Sequence, residues 1–319
     1  MSTNPLAGRD FLRMMDLSPD EFRLVLDTAK AEKTRFARNT VLAQSESPYI
    51  GQAVGIILEK PSLRTRVSFE RAVSRLGAQA IVMSDTSSAF SRGESIKDTM
   101  MVMERYVDAI VIRSFAQQRV EELAYWASIP VVNALTDDFH PCQGLADFMT
   151  IEESFGKLAG LKLAYLGDGA NNMAHTYLEG GALSGMQVVI SAPEGFQPND
   201  AYLAEARALA EQTGAVLEVT SSSEEALSEA DVVITDAWAS MGFEDEHEQR
   251  AAVFAPYQVT AKSFAYANPN AIFLHCLPAH RDEEVTDEVM DADYSRIYDE
   301  AENRMHAQQA LLLLLMAKA

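Results

Sequence analysis

Short apolar runs alternate with helix-like segments along almost the whole chain. The runs with the length and composition of buried parallel strands cover residues 53–58, 79–83, 108–112, 130–133, 161–166, 186–191, 231–235 and 271–274. This alternation is typical of βαβ units, in which helices cover a parallel sheet. Because the runs form one group in each half of the chain, we predict an α/β fold with two doubly wound parallel-sheet domains joined by interdomain helices.

The length of 319 residues also suits two domains of ordinary size. A helical stretch over 141–155, followed by the glycine-containing segment 156–160, is the expected junction. We therefore predict a first domain over residues 1–150 and a second domain over 151–299. The remaining residues, 300–319, are predicted to form a long C-terminal helix that packs back on the first domain.

Composition excludes several classes of function. The net charge of −21 argues against nucleic acid and anionic membranes as partners. The longest apolar run, residues 310–317, is too short to span a bilayer, and residues 1–5 lack the features of a signal peptide. The cysteines, Cys142 and Cys276, are too few for a disulfide framework, so we predict a cytoplasmic enzyme.

The segment 59–66 predicts an anion site. It follows the strand-like run 53–58, and its Pro61 and Ser62 are residues that begin helices. Backbone N–H groups, hydroxyls and two arginine side chains would converge at a helix N-terminus, where the helix dipole favours a phosphate-like dianion. The alternative is a basic first turn whose arginines pair with surface acids. A chain this acidic repels anions at long range, so an anion site must concentrate its arginines locally.

Further polar side chains follow other predicted strands. Arg113 lies at the end of the strand 108–112, where parallel sheets bind ligands, although an arginine there could equally cap a sheet edge. His140 and Gln143 are three residues apart at a predicted helix start and can face one ligand, although a histidine here could instead serve only as a hydrogen-bonding residue. Arg304, near the start of the final helix, offers another guanidinium.

The loop 167–172 has the outline of a dinucleotide-binding turn. Its third glycine position is Asn172, and the next strand ends without an acidic residue to hold a ribose. We therefore exclude a Rossmann cofactor and expect the asparagines to bind a small polar ligand. Asp236 follows the strand 231–235, where its carboxylate can hold an ammonium group. The acidic segment 243–248 is predicted to have little helix and to form either a lid or an ordinary exposed loop.

Cys276 lies two residues after the strand-like run 271–274. Its thiol could be a nucleophile, a zinc ligand or a substrate contact. Zinc is unfavoured because no second cysteine lies nearby at ligand spacing, so no metal site is predicted. A covalent mechanism would need a base from elsewhere in the sequence and stays open. Cys142 is interpreted as a small buried hydrophobic residue.

Taken together, these motifs resemble those of the aspartate/ornithine carbamoyltransferase family. Residues 62–66 are similar to the family's carbamoyl phosphate loop, and residues 140–143 to its second carbamoyl phosphate element. Residues 236–242 and 275–278 are similar to segments that mark the ornithine branch. The motifs occur in the expected order, and the resemblance extends over nearly the whole chain.

The resemblance implies roles for individual residues. The carbamoyl phosphate site would comprise Ser62, Leu63 through its backbone, Arg64, Thr65, Arg113, His140, Gln143, Cys276, Leu277 and Arg304. The ornithine site would comprise Asn172, Asp236, Ser240 and Met241. The catalytic groups would be Arg113, His140, Cys276 and Arg304.

The resemblance also implies a reaction and an assembly. The first domain would bind carbamoyl phosphate and the second domain L-ornithine. The δ-amine of ornithine would attack the carbamoyl carbon directly, without a covalent enzyme intermediate and without a metal or organic cofactor, giving citrulline and phosphate. The family implies a homotrimer with sites at subunit boundaries.

One segment departs from the family pattern. Where members of the ornithine branch usually carry a glutamine that reaches into the neighbouring subunit's site, this chain has Ala89, followed by Phe90. An alternative function is therefore carbamoyl transfer to a modified ornithine or to another amine. A third hypothesis is a catalytically weak carbamoyl phosphate-binding protein, and the complete set of arginines argues against it.

Overall fold

The computed structural model describes residues 4–38, 47–84, 93–239 and 247–318. The chain divides into two compact units, one made of Met1–Met149 with Glu302–Ala319 and one made of Thr150–Ala301. Within the described residues, each unit contains one sheet whose strands all run parallel. The α/β fold with two parallel sheets that the sequence predicts is therefore confirmed.

The first unit is built on a sheet with the strand order β2-β1-β3-β4. Its strands are β1 (Ala53–Leu58), β2 (Gln79–Ser84), β3 (Ala109–Arg113) and β4 (Val131–Leu135). Its helices are α1 (Pro19–Arg38), α2 (Leu63–Arg75), α3 (Ile96–Met103), α4 (Gln117–Trp126) and the first part of α5 (Pro141–Phe155). Every residue of β3 and β4 is buried, as expected for parallel strands covered on both faces.

The second unit is built on a sheet with the strand order β7-β6-β5-β8-β9. Its strands are β5 (Lys162–Leu166), β6 (Gln187–Ser191), β7 (Val216–Thr220), β8 (Val232–Thr235) and β9 (Ile272–Leu274). Its helices are α6 (Asn172–Ser184), α7 (Asp200–Thr213), α8 (Ser223–Leu227), α9 (His247–Phe254), α10 (Ala261–Phe264), α11 (Asp287–Met290) and the start of α12 (Ile297–Leu315). An apolar cluster that includes Val233, Phe254 and Phe273 forms its core.

Two features of the second unit go beyond the sequence prediction. Strand β7 was not predicted, because it lies at the edge of the sheet and buries only Leu217. A strand with one buried side chain lacks the continuous apolar run that marks the other strands. Of the segment 243–248, which was predicted to have little helix, the structure describes His247 and Glu248, and both belong to α9.

Helix α12 begins in the second unit and ends in the first. In the first unit, the backbone carbonyl of Leu315 accepts a hydrogen bond from the Gly8 N–H at 2.8 Å, and the Leu314 carbonyl accepts one from Asn4 Nδ2 at 2.7 Å. Residues 4–8 and the end of α12 therefore belong to the same unit. Among the described helices, none is long and apolar enough to cross a membrane.

The polar residues singled out in the sequence lie at the carboxyl ends of adjacent strands. In the first unit, β1 leads to Ser62, β3 ends with Arg113, and β4 leads to His140. Since β1, β3 and β4 are neighbours in the sheet, their carboxyl ends lie side by side. The same holds in the second unit, where the neighbouring strands β5, β8 and β9 lead to residues 167–172, to Asp236 and to residues 275–278. This is the edge at which open α/β sheets bind ligands.

Candidate active site

The N-terminus of α2 is organised by hydroxyl groups. Ser62 is the N-cap residue, and its Oγ accepts a hydrogen bond from the Thr65 N–H at 3.3 Å and donates one to Thr65 Oγ1 at 3.0 Å. The first turn contains no acidic residue, so the positive end of the helix dipole is not compensated by its own side chains. Leu63 is 76% exposed, and because its side chain has no donor, its backbone N–H is the group that it can offer to an anion.

Arg304 connects α12 to this helix start. Its Nη2 donates a hydrogen bond to Thr65 Oγ1 at 3.1 Å, and its Nη1 donates one to Gln143 Oε1 at 2.9 Å. The Nε2 of Gln143 in turn donates to Asp147 Oδ1 at 2.7 Å. All four side chains are buried. Thr65 Oγ1 and Gln143 Oε1 are uncharged acceptors, and these two hydrogen bonds orient the guanidinium.

His140 lies in the positive field of these arginines. Burial lowers the pKa of His140 well below its usual value of 6.5, and the charges of Arg304, Arg113 and Arg64 lower it further. The imidazole is therefore neutral at physiological pH. A neutral imidazole keeps one N–H that can donate to a carbonyl oxygen and does not add to the positive charge. The structure thus brings Arg64, Arg113, His140 and Arg304 into one electrostatic cluster.

The two arginines of the segment 59–66 do not share a role. Arg64 belongs to the cluster around His140, whereas Arg66 Nε donates to Glu70 Oε1 at 2.9 Å on the exposed side of α2. The prediction that two guanidiniums converge at this helix start was therefore wrong for Arg66, which forms an i,i+4 surface pair instead.

Two charged residues support the loop before α2, and neither is among the predicted site residues. Glu59 is buried and accepts hydrogen bonds from Arg119, at 2.7 Å for Nη2, and from Ser114. Lys60 is also buried, pairs with Asp137 and lies 4.4 Å from the centroid of the Phe115 ring. The sequence signal that could have identified these two residues is the pair of opposite charges, Glu59 and Lys60, directly after the buried strand β1.

In the second unit, Asp236 joins two of the strand ends. Its Oδ1 accepts a hydrogen bond from the Cys276 thiol at 3.1 Å, and its Oδ2 accepts one from Asn171 Nδ2 at 3.2 Å. The Oδ1 of Asn171 caps α6 by accepting from the backbone N–H groups of Met173 and Ala174, each at 3.0 Å. A carboxylate held in this way has a fixed position at which to receive an ammonium group.

Asn171 makes this contact to Asp236, and Asn172, the predicted ornithine contact, is the next residue along the chain. Asn172 is the half-buried first residue of α6, and its backbone carbonyl accepts a hydrogen bond from Thr176 Oγ1 at 2.6 Å. The helix boundary decides the difference, because an N-cap side chain folds back over the helix start. A boundary shift of one residue is below what a sequence pattern resolves.

Buried groups surround the Asp236 carboxylate. Asn171 Nδ2 also donates to Tyr165 Oη at 2.8 Å, and burial together with the charges of Asp236, Asp168 and Cys276 raises the pKa of Tyr165 well above 10. Burial raises the pKa of Asp168, while the guanidinium of Arg250, which pairs with it, acts in the opposite direction. Tyr165 therefore stays a neutral hydrogen-bonding group.

The glycines of the loop 167–172 serve its backbone geometry. Gly167 has a φ of 132°, which L side chains rarely adopt, and a Cβ on Gly169 would lie 2.8 Å from the carbonyl oxygen of Phe196. The tight turn that the sequence shares with dinucleotide-binding loops thus has a structural reason in this chain.

The segment after β9 presents a strained backbone next to Cys276. Leu277 has a φ of 59°, an uncommon value for a residue other than glycine, and its N–H donates to His275 Nδ1 at 2.9 Å. His275 Nε2 contacts Glu284 Oε1 at 3.1 Å. Because His275 uses both ring nitrogens in these contacts, it is not the base of a Cys–His pair.

Several predicted residues lie outside the described residues. Ser240 and Met241 of the ornithine site, Ala89 and Phe90 of the departing segment, and most of the predicted lid over 243–248 belong to this group. Of the predicted ornithine residues, Asp236 and Asn172 are therefore the two that the structure describes.

Two groups of side chains offer ligand atoms for a metal ion. Asp236, His275 and Cys276 form one group, and His280, Glu283 and Glu284 form the other; within each, the ligand atoms lie within 4.8 Å of one another. In the first group, the ring nitrogens of His275 and the Cys276 thiol already make the contacts described above. The sequence prediction that the reaction needs no metal stays a prediction.

Comparison with known proteins identifies the family. The family model described as the carbamoyl-P binding domain of aspartate/ornithine carbamoyltransferase matches residues 9–153, and the model of its Asp/Orn binding domain matches residues 159–315. The chain belongs to the aspartate/ornithine carbamoyltransferase family. The family that the sequence motifs indicated is thereby confirmed.

Relatives in this family match over their whole length. The ornithine carbamoyltransferase of Symbiobacterium thermophilum is 50% identical over 98% of this chain and 99% of the relative, and that of Mycolicibacterium smegmatis is 49% identical over 97% and 99%. The solved structure of ornithine carbamoyltransferase from Pyrococcus furiosus has a TM-score of 0.93 at 43% identity, covering 98% of both chains. That from Gloeobacter violaceus has a TM-score of 0.85 at 44% identity, covering 97% of this chain and 98% of the other.

Proposed function

We propose that the chain transfers the carbamoyl group of carbamoyl phosphate to the δ-amine of L-ornithine, giving L-citrulline and phosphate. Full-length relatives that are about half identical and are named ornithine carbamoyltransferase support this reaction. The observation that carries the proposal is the buried Arg304, which donates to both Thr65 and Gln143 beside the neutral His140. This arrangement offers several oriented donors to a small anion that has both a phosphate and a carbonyl group.

Carbamoyl phosphate would bind at the start of α2. The phosphate would receive the N–H groups of the first turn, the hydroxyls of Ser62 and Thr65, and the guanidinium of Arg64. The carbonyl oxygen would receive hydrogen bonds from Arg113, His140 and Arg304. A neutral His140 suits this role, because it donates to the oxygen that becomes negative and leaves the phosphate to its guanidinium partners.

Ornithine would bind in the second unit. The carboxylate of Asp236 would hold the α-ammonium group, and Asn171 would position that carboxylate. Asn172, Ser240 and Met241 would contribute to the same amino-acid end. Cys276 and the carbonyl of Leu277 would lie near the reacting δ-amine, with the strained backbone of Leu277 fixing the direction of that carbonyl.

The reaction itself needs no covalent enzyme intermediate. The lone pair of the neutral δ-amine forms a bond to the carbamoyl carbon, the bond from carbon to the phosphate oxygen breaks, and the departing phosphate accepts the proton of the amine. Positioning both substrates can supply about 7–11 kcal/mol of the barrier. Each donor aimed at the developing oxyanion adds about 3–4 kcal/mol.

The domain roles, assembly and compartment follow the family. Residues 1–150 with 300–319 would form the carbamoyl phosphate domain and residues 151–299 the ornithine domain, which the descriptions of the two family models support. A homotrimer in the cytoplasm is part of the proposal. Size-exclusion chromatography with light scattering tests the assembly, and a dimer or monomer would contradict it.

A citrulline assay tests the reaction. The enzyme is supplied with carbamoyl phosphate and, in separate reactions, L-ornithine, N-acetyl-L-ornithine or L-aspartate, while citrulline and phosphate are both measured. We expect equimolar citrulline and phosphate with L-ornithine and little product with the other amines. Efficient turnover of the acetylated amine with none of ornithine would overturn the proposal in favour of a modified substrate.

A further inference from the structure

A second cluster of charged side chains lies on the turn between β9 and α11. The Nδ1 of His280 is 4.0 Å from Glu283 Oε2 and 3.9 Å from Glu284 Oε2. The Nε2 of His247, at the start of α9, is 3.0 Å from the same oxygen of Glu283. Two imidazoles and two carboxylates thus surround one small volume within the second unit.

One oxygen of this cluster is buried and lacks a hydrogen bond. Glu284 is fully buried, and its Oε1 accepts from the His280 backbone N–H at 2.6 Å and contacts His275 Nε2 at 3.1 Å. His275 Nδ1 accepts from the Leu277 N–H, so its proton is on Nε2 and is donated to Glu284. The other oxygen, Oε2, has no hydrogen-bond partner among the described residues and faces His280 Nδ1. A buried carboxylate oxygen without a partner is costly unless something positive binds it.

The turn that carries the cluster is held in place from both sides. Val259 N–H donates to the Glu284 carbonyl at 2.9 Å, and Thr286 N–H donates to the Val259 carbonyl at 3.0 Å. The neighbouring Arg281 is engaged by Asp287 and Asp291. The backbone is therefore fixed, and this arginine has its own acidic partners outside the cluster.

The donor set suits a divalent transition-metal ion. Imidazole nitrogen with carboxylate oxygen is typical of zinc sites, in which each ligand lies about 2.0–2.2 Å from the ion. Two such ligands can share an ion up to a separation of about 4 Å, which the distances from His280 to both glutamates meet. The hydrogen bond from His275 to Glu284 is the kind of support that metal-binding carboxylates have. We propose that His280, Glu283 and Glu284, with His247 beside Glu283, form a binding site for a Zn²⁺-like ion.

Calorimetric titration of ZnCl₂ into the full-length protein tests the site. All variants carry Cys276→Ser, so that the thiol of the other ligand group cannot bind the ion. We expect one Zn²⁺ per chain in this background and about tenfold or weaker affinity after the further substitution His280→Ala or Glu283→Gln. Glu288→Gln, which changes an exposed glutamate on α11, is the matched control and should leave the affinity unchanged.

Thermal unfolding provides a second measurement that does not depend on calorimetric heats. Zn²⁺ should raise the unfolding midpoint of the Cys276→Ser protein and should not raise that of the variant with His280→Ala. Equal zinc affinity with and without His280→Ala would overturn the site, as would loss of all zinc binding in Cys276→Ser alone. Neither measurement involves turnover, so failure here leaves the proposed transfer reaction untouched.

Discussion

Arg304 Nη2 lies 3.1 Å from Thr65 Oγ1, although the two residues are 239 positions apart in the sequence. The same guanidinium reaches Gln143 at the start of α5. The candidate carbamoyl phosphate site is therefore assembled from segments that are far apart in the chain, and Arg304 connects them.

Arg304→Lys should lower kcat by about 10²–10³-fold, because an ammonium group cannot donate to Thr65 and Gln143 while also stabilising an oxyanion. Steady-state citrulline formation measures the effect, and circular dichroism shows whether the fold is kept. A variant with more than half of the normal kcat would contradict the role of this guanidinium in the transition state.

Arg64→Ala should raise the KM for carbamoyl phosphate by about 10–150-fold, since a charge-assisted hydrogen bond contributes about 1.5–3 kcal/mol. Arg66→Ala is the matched control, because Arg66 forms an exposed pair with Glu70 that contributes about 0.5 kcal/mol or less. The KM is measured at saturating ornithine. Similar effects of the two substitutions would remove the distinction that the structure draws between these arginines.

Cys276→Ser should raise the KM for ornithine more than the KM for carbamoyl phosphate, and turnover should continue. The reason is that the thiol donates to Asp236 and serves the ornithine side, and a hydroxyl can replace that contact. Kinetics with each substrate varied in turn measure the difference. Detection of a carbamoylated Cys276 by mass spectrometry of the wild-type enzyme during turnover would instead establish a covalent mechanism.

His140 should make the protein less stable in acid. Burial and the arginine charges hold the pKa of His140 well below 6.5 in the folded protein. As the pH falls below about 6.5, His140 is therefore protonated in the unfolded chain but stays neutral in the folded chain. The free energy of unfolding should therefore decrease by up to about 1.4 kcal/mol per pH unit from this residue, until the folded pKa is reached.

Urea unfolding at about pH 7.5 and about pH 5.5 measures this contribution when the wild type is compared with His140→Gln. Glutamine does not titrate, so the variant should lose less stability than the wild type between the two pH values. An equal loss in both proteins would show that His140 is protonated in the folded state.

The sequence predicted the parts of the fold that buried apolar runs encode. Strands such as β3, in which every residue is buried, leave a nearly continuous apolar run in the sequence. Strand β7 was not predicted because it lies at the edge of the sheet, where most of its side chains are exposed or half-buried. Only Leu217 of its five residues is buried. Whether a strand is buried depends on its position in the sheet, which is set by tertiary structure. The local sequence pattern of one strand therefore does not predict it.

In the candidate site, too, the sequence predicted some features and not others. Strand ends predicted the region of Arg113, His140 and Asp236, because the direction of a parallel strand fixes which loops share an edge. Which of two neighbouring side chains on a helix points toward that edge of the sheet depends on where the helix begins. The sequence therefore did not reveal that Asn171 contacts Asp236, and it did not separate the role of Arg64 from that of Arg66.

The path of α12 bears on how the protein is made. A ribosome releases the chain from its N-terminus, yet the first unit includes Glu302–Ala319, and its Gly8 is hydrogen-bonded to Leu315. Gly8 therefore leaves the ribosome long before its hydrogen-bond partner Leu315 has been synthesised. Thr65 meets Arg304 only after the whole second unit has been synthesised, so a nascent chain that stops short of Arg304 lacks this contact of the candidate anion site.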